Sequence, residues 1–320
     1  MATLLTQANL RKKFVFKSWM GGILIFLLVF IFLATNSPVF LKPVNLIRNW
    51  LLPAGIASVI SLGMTIVMAG GGIDLSVGAT AGLSALFAAS MSAVFHLGII
   101  PMIILALLCG LVIGAIKGYF VAYLGVNPFV VTLSTVFLIR GLQFLVTLTS
   151  VKGAYIMLPT SLMILGGNAT FQLGSFVIAA VILYIFLEKS YYGRYVQAVG
   201  TNLEVARFSG ISFRSYTWLT YLIGGILTAL GGFMLTSYEG VIRVGSGDGY
   251  LIDSFVLPIL GQAVFRRISV EGTIFGALFM YMVINGLFIF GTSPENVDFI
   301  KGGLLFAVLI ISGIQKLKES

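Results

Sequence analysis

Long apolar stretches recur from one end of the chain to the other, separated by short polar or glycine-bearing breaks. Ten of them predict helices, at residues 19–34, 53–70, 77–95, 98–118, 127–148, 171–187, 216–237, 252–264, 272–290 and 297–314. Most come close to the ~20 apolar residues that cross a bilayer; the eighth is short. The runs are continuous rather than alternating, which favours helices over the strands of a barrel, and lipid allows no third option. The fold class expected is all-α: a polytopic helical membrane protein with about ten transmembrane helices. Residues 1–18 read as a cytoplasmic N-terminal segment, 19–315 as a single transmembrane domain and 316–320 as a cytoplasmic tail. A basic flank (Arg11, Lys12, Lys13, Lys17) gives the first helix the look of a signal peptide, but the spans that follow make it an uncleaved first helix.

Composition agrees with this pattern. Of 320 residues, 59% are hydrophobic and 9% charged, where a soluble domain carries roughly 25% charged residues. The net charge of +9 is spread over helix ends and forms no basic patch with interleaved aromatics, so nucleic-acid binding is not expected. Its distribution is informative in another way. Arg11, Lys12, Lys13, Lys17, Lys117, Lys189, Arg194, Arg207, Arg214, Arg266, Arg267, Lys316 and Lys318 fall on one set of alternate connections, against Lys42, Arg48, Lys152 and Arg243 on the other. The positive-inside rule then puts both termini on the cytoplasmic side, which requires an even helix number.

The chemistry available is sparse. Cys109 stands alone inside an apolar helix and His96 alone near a loop, which excludes an intrachain disulfide and a cysteine-based metal site. Scattered acids with one histidine give no acid/base pair, so an enzyme is not expected, and no metal or cofactor is. There is no GxxxxGK[ST] phosphate loop; Gly245–Gly249 (GSGDG) reads as a glycine-rich turn on the outer side. Stripes of small residues (Gly110, Gly114, Gly118; Gly224, Gly225, Gly231, Gly232) read as surfaces where helix backbones approach closely.

Charged residues inside membrane spans are costly, so Asp74, Arg140 and Asp253 stand out, while Asp298 and Lys301, three apart near the start of the final helix, read as interfacial structure. Asp74 follows Gly70, Gly71 and Gly72 and precedes Ser76 in AGGGIDLSVGATAG. Three glycines permit a sharp break between helices. There Asp74 either caps the next helix in a simple turn or belongs to a transport pathway built at broken helix ends. Arg140 either snorkels to the outer interface or lines a polar cavity; Asn127, at the head of the same helix, is a second pathway candidate. Asp253 reads as a helix-start residue.

The longest polar connection, Glu188–Thr217, contains a second predicted feature. Asn202–Phe208 (NLEVARF) has an N-cap in Asn202 and a stop in Gly210, and predicts a short helix. Such a helix at a membrane surface docks into a partner's groove; a plain solvated linker is the alternative, though linkers are usually shorter.

GGGIDLSVGATAG (Gly70–Gly82), VNPFVVTLSTVFLIRG (Val126–Gly141), GRYVQAVGTNLEVARFSGISF (Gly193–Phe213) and GYLIDSFVLPILGQAVFRRISVEGTIFGALF (Gly249–Phe279) together resemble the permease subunits of sugar-type ABC importers, such as those for ribose, xylose, galactose and autoinducer-2. The match runs over roughly residues 45 to 315 in the correct order. The chain departs from the pattern at Thr201, Val205, Ser254, Phe255, Val256, Leu257, Gln262 and at Arg266–Arg267. The resemblance implies a permease that imports a small polar solute such as ribose or a related monosaccharide. Nucleosides or amino acids are alternatives within the family, and an ion-coupled secondary transporter outside it. It implies as partners a second permease subunit, identical or not, a cytoplasmic ATP-binding subunit and an extracytoplasmic solute-binding protein, with ATP held by the partner alone. It also implies that Asn202, Glu204, Arg207, Ser209 and Gly210 belong to a loop that contacts the ATPase, and that Gly70, Gly71, Gly72, Asp74 and Ser76 form a mobile break.

Overall fold

The computed structural model describes residues 20–150, 155–158, 160–304, 306 and 310. In chain order its elements are α1 (Met20–Asn36), α2 (Asn45–Ala69), α3 (Val77–Phe95), α4 (Ile99–Ala122), α5 (Pro128–Ser150), β1 (Tyr155–Met157), α6 (Thr160–Gly167), α7 (Ala169–Tyr184), α8 (Tyr191–Thr201), α9 (Leu203–Phe208), α10 (Phe213–Glu239), β2 (Val241–Arg243), α11 (Tyr250–Phe265) and α12 (Val270–Ile289). Among the described residues, seven helices are long and apolar enough to span a bilayer, α1 and α11 are shorter apolar helices, and a further helix starts at residue 297. Each expected span thus has a helical counterpart. The segments 1–18 and 316–320, with Arg11, Lys12, Lys13, Lys17, Lys316 and Lys318, lie outside the described residues, and so does Lys152.

The chain divides into two compact units, Met1–Ala54 with Val256–Ser320, and Gly55–Phe255. In the first, an aromatic cluster holds α1 to the opening of α2 and to α12. The rings of Phe26 and Phe30 lie 6.5 and 6.1 Å from Trp50, and Phe26 lies 5.7 Å from Phe275. The indole N–H of Trp50 donates to the Leu278 carbonyl at 2.9 Å. Beside it, in the π-helical turn that opens α2, Asn45 exchanges reciprocal amide bonds with Asn285 at 3.1 Å and donates to the Phe40 carbonyl. In lipid an unpaired amide has no water to turn to, so two asparagines satisfying each other form a specific polar lock.

In the second unit α10 packs between α3 and α4, and glycine makes that packing close. A Cβ on Gly110 would strike the Gly225 carbonyl, one on Gly114 the Tyr221 carbonyl, and one on Gly232 the Ala81 carbonyl. The small-residue stripes read from the sequence are therefore helix contacts. On the opposite face α4 exposes Ile104, Leu108, Val112 and Ile116, a single stripe at four-residue spacing of the kind that faces lipid. A short antiparallel ribbon, with Tyr155 opposite Arg243 and Met157 opposite Val241, joins the α5–α6 and α10–α11 connections. It is the one non-helical pairing among the described residues.

Replacing Asn285 by Ala removes both interhelical bonds of Asn45 and leaves its amide only Phe40 and Asn49 as partners. A loss of about 1 kcal/mol is expected, the scale of interhelical hydrogen bonds in membrane proteins, measurable as a lower unfolding midpoint in detergent.

Candidate functional site

The glycines of the first motif end α2 with a tight reversal. Gly71 and Gly72 donate to the carbonyls of Met68 and Val67 at 2.9 Å, and Gly71 takes φ = +79°, a left-handed conformation that glycine adopts freely. The chain then runs without helical bonds through Ile73 and Asp74 before α3 begins. Ile73 leaves a carbonyl that the Tyr221 hydroxyl of α10 satisfies at 2.9 Å.

Asp74 is 1% exposed, and so is Lys117 of α4. Their side chains form an ion pair. Asp74 Oδ1 also accepts the backbone N–H of Ser76 at 2.9 Å and the Ser76 hydroxyl at 2.6 Å, while Lys117 Nζ donates to Ser76 Oγ at 3.0 Å. The three side chains close a triangle. Charge removed from water is tolerated only when opposite charge and hydrogen bonds replace the lost hydration. This arrangement revises two expectations. Asp74 does not simply cap α3: the N-cap position is Ser76, whose side chain makes no capping bond, and most of the Asp74 carboxylate's partners are other side chains. Lys117 is not a surface cation at a helix end. The helix continues to Ala122, past the expected limit at 118, which carries Lys117 into the interior.

The break is also keyed to the polar connection. A Cβ on Gly71 would sit 3.0 Å from Gly200 Cα, and one on Gly200 would strike the Ala69 carbonyl. Backbone therefore lies on backbone where α8 meets the end of α2. Gly70 and Gly72 are equally confined, by Thr220 and by the Tyr221 hydroxyl.

Beyond Gly200 the chain forms the short helix read from the sequence. Asn202 caps α9 by accepting the Val205 amide at 3.0 Å, Ser209 Oγ donates to the Val205 carbonyl at 2.8 Å, and Gly210 ends the turn with φ = +74°. Glu204 and Arg207 are exposed, and Ala206 is buried. Sequence reasoning misses the apolar half of this surface. Leu203, Val205 and Phe208 are all exposed, Phe208 to 89%. Their spacing on a six-residue helix is too short for periodicity to flag.

Arg140 of α5 pairs with Asp248, which lies in the turn that the sequence marks only as glycine-rich. Two bonds of Gln143 hold that turn. Its Nε2 donates to the Ala79 carbonyl at 3.4 Å and its Oε1 accepts the Gly245 amide at 3.1 Å. Gly245 and Gly247 have φ of +87° and +97°, and a Cβ on Gly245 would meet Arg140 Nη1 at 2.7 Å. Asn127 is exposed and caps α5, accepting the Phe129 amide at 2.9 Å, away from this pair in the chain. Asp253 is buried in the first turn of α11.

The family model described as "branched-chain amino acid transport system / permease component" matches residues 46–309. The chain belongs to that family. It is 34% identical over 304 residues to the ribose import permease protein of Bacillus subtilis (strain 168), covering 89% of this chain and 90% of that protein. It is 30% identical over 271 residues to the autoinducer 2 import system permease protein of Yersinia enterocolitica, covering 79% and 78%. A solved metal-chelate-type ABC transporter in an inward-facing conformation shares the fold, with a TM-score of 0.55 at 14% identity over 92% of this chain and 99% of that one. These relatives are transport permeases, and the helices described above make this family member a multi-pass membrane protein.

Lys117→Met would leave Asp74 buried without its counter-charge. A destabilisation of about 3–5 kcal/mol is expected, with most of it recovered in Lys117→Met/Asp74→Asn. Unfolding midpoints of the two purified variants in one detergent check this.

Proposed function

We propose that this chain is the membrane-spanning subunit of a binding-protein-dependent ABC importer, carrying a monosaccharide such as ribose inward across a bacterial inner membrane. The observation that carries the mechanism is the joint between Gly200 and the Gly70–Gly72 break. It connects an exposed docking surface to the buried Asp74–Lys117 pair through rigid backbone contact. The relatives named as ribose and autoinducer 2 import permeases support the importer class and a sugar-like cargo.

In this reading α9 sits in the groove of a cytoplasmic ATP-binding subunit. Phe208, Leu203 and Val205 supply apolar anchors, and Glu204 and Arg207 a charged rim, the usual division of labour in an interface. ATP binding and hydrolysis alternate the positions of the two ATPase subunits, α9 follows, and α8 presses Gly200 against Gly71. The break is where the chain can yield, because its glycines impose no side-chain barrier and Ile73 and Asp74 make no helical bonds. Asp74, Ser76 and Lys117 keep the broken segment polar-satisfied in either state. A ligand shifts such an equilibrium only by its differential affinity for the two states, so the ATPase must grip α9 more tightly in one of them. Two permease chains, both termini cytoplasmic, complete the transporter with an external binding protein that delivers the solute.

Phe208→Ser is expected to cut co-purification of the ATP-binding subunit about tenfold, equivalent to ~1.4 kcal/mol of interface energy, in a pull-down from cells expressing both chains. Unchanged recovery of the complex would remove α9 from the contact. Gly200→Ala should behave differently: the complex assembles and hydrolyses ATP, but fewer solute molecules enter per ATP. Gly174→Ala, whose added methyl meets nothing within 4 Å, is the matched control. Coupled uptake in Gly200→Ala equal to that control would sink the joint.

A further inference from the structure

The ion pair between Arg140 and Asp248 is in an odd place for two charges that are 35% and 42% exposed. The spanning part of α5 runs from Pro128 to Leu148. Arg140 is twelve residues from one end and eight from the other, so it lies roughly 18 and 12 Å from the two ends at 1.5 Å per residue. Asp248, paired with it, shares that depth, because the turn Gly245–Gly249 folds back onto α3, where a Cβ on Gly78 would meet the Gly247 carbonyl. A long side chain near a span end can reach the interface, but an aspartate cannot, and its carboxylate holds the guanidinium where it is. Charges at this depth do not face hydrocarbon at tolerable cost. Charged surface left open at that depth is better served by water than by lipid.

We infer that Arg140 and Asp248, with Gln143 and the Gly245–Gly249 turn behind them, form a solute-contact site on an aqueous path through the membrane. The ligand class is a neutral polyhydroxylated molecule. Asp248 offers carboxylate oxygens to two hydroxyl donors, and Arg140 offers the remaining N–H groups of its planar fork to hydroxyl oxygens. The pair is electrically neutral as a unit. An anion or a cation would have to pull it apart and leave one charge unpaired, whereas hydroxyl groups bind around an intact pair. That neutrality also keeps the grip weak, as a transit site requires, since a solute held strongly would not leave. Gln143 has both ends of its amide engaged by backbone and therefore fixes the turn rather than touching the solute.

This site rests on the permease reading, and its test separates the two. Gly249→Cys, which leaves the pair intact and whose added Cβ meets nothing within 4 Å, is reconstituted in a Cys109→Ser background without any ATPase and treated with a charged, membrane-impermeant methanethiosulfonate reagent. Labelling is expected, and ribose at about twice its Kd should slow it about threefold by occupancy. No labelling would mean that the position faces lipid or packed protein, and labelling indifferent to ribose would mean that no polyol binds; either overturns the site. In the complete transporter Asp248→Asn should lower ribose uptake at least about tenfold. The charge swap Arg140→Asp/Asp248→Arg should retain the folded complex without restoring uptake. Full uptake in the swap would reduce the pair to a structural latch. ATP-driven uptake by a Gly249→Cys chain that resists labelling would overturn this site and leave the importer reading standing.

Discussion

A carboxylate buried inside a lipid-embedded chain is costly without a counter-charge, and the pairing of Asp74 with Lys117 supplies one. The region around it follows from the same demand. The segment Gly70–Ser76 makes no regular helix, so its polar groups require partners that lipid does not supply. Ser76 closes the ion pair on one side, the Tyr221 hydroxyl takes the Ile73 carbonyl on another, and the glycine stripes on α4 and α10 bring those helices close enough for Tyr221 and Lys117 to reach. Remove the close packing and the irregular segment has nothing to hold it.

Much of this is legible in the residues. Continuous apolar runs mark the spans because a bilayer imposes both length and composition, and the three glycines with Asp74 mark the break because no other residue types combine free backbone with a buried acid. Asn202 and Gly210 announce α9 through local capping chemistry, which needs no knowledge of the remainder of the fold. Lys117 misleads for a physical reason. A lysine near the end of an apolar run looks like an interfacial anchor unless its partner is known, and Asp74 lies 43 residues away. Asp248 escapes notice for a similar reason: a glycine-rich turn looks external until tertiary contacts fold it back. Both failures concern pairings across the chain, where a single sequence carries little signal.

The two ion pairs contrast usefully. Asp74–Lys117 is sealed from solvent and anchors an irregular segment, whereas Arg140–Asp248 is open on one side and braced by a fixed amide. Similar chemistry thus serves two ends. In the sealed pair the interaction holds a broken backbone together, since a lone charge there would cost several kcal/mol. In the open pair it keeps two groups available while satisfying both.

The reciprocal bonds between Asn45 and Asn285 carry a different consequence, one of timing. The partners are 240 positions apart. At roughly 5–20 residues per second of synthesis, α2 waits about 12–48 s on the ribosome before α12 exists to complete its lock. Over that interval the nascent first helices must be held by local bonds, such as that from Asn45 to Phe40, or by the insertion machinery. The first unit is therefore closed only after the second, which lies between its two parts in the chain, has been made.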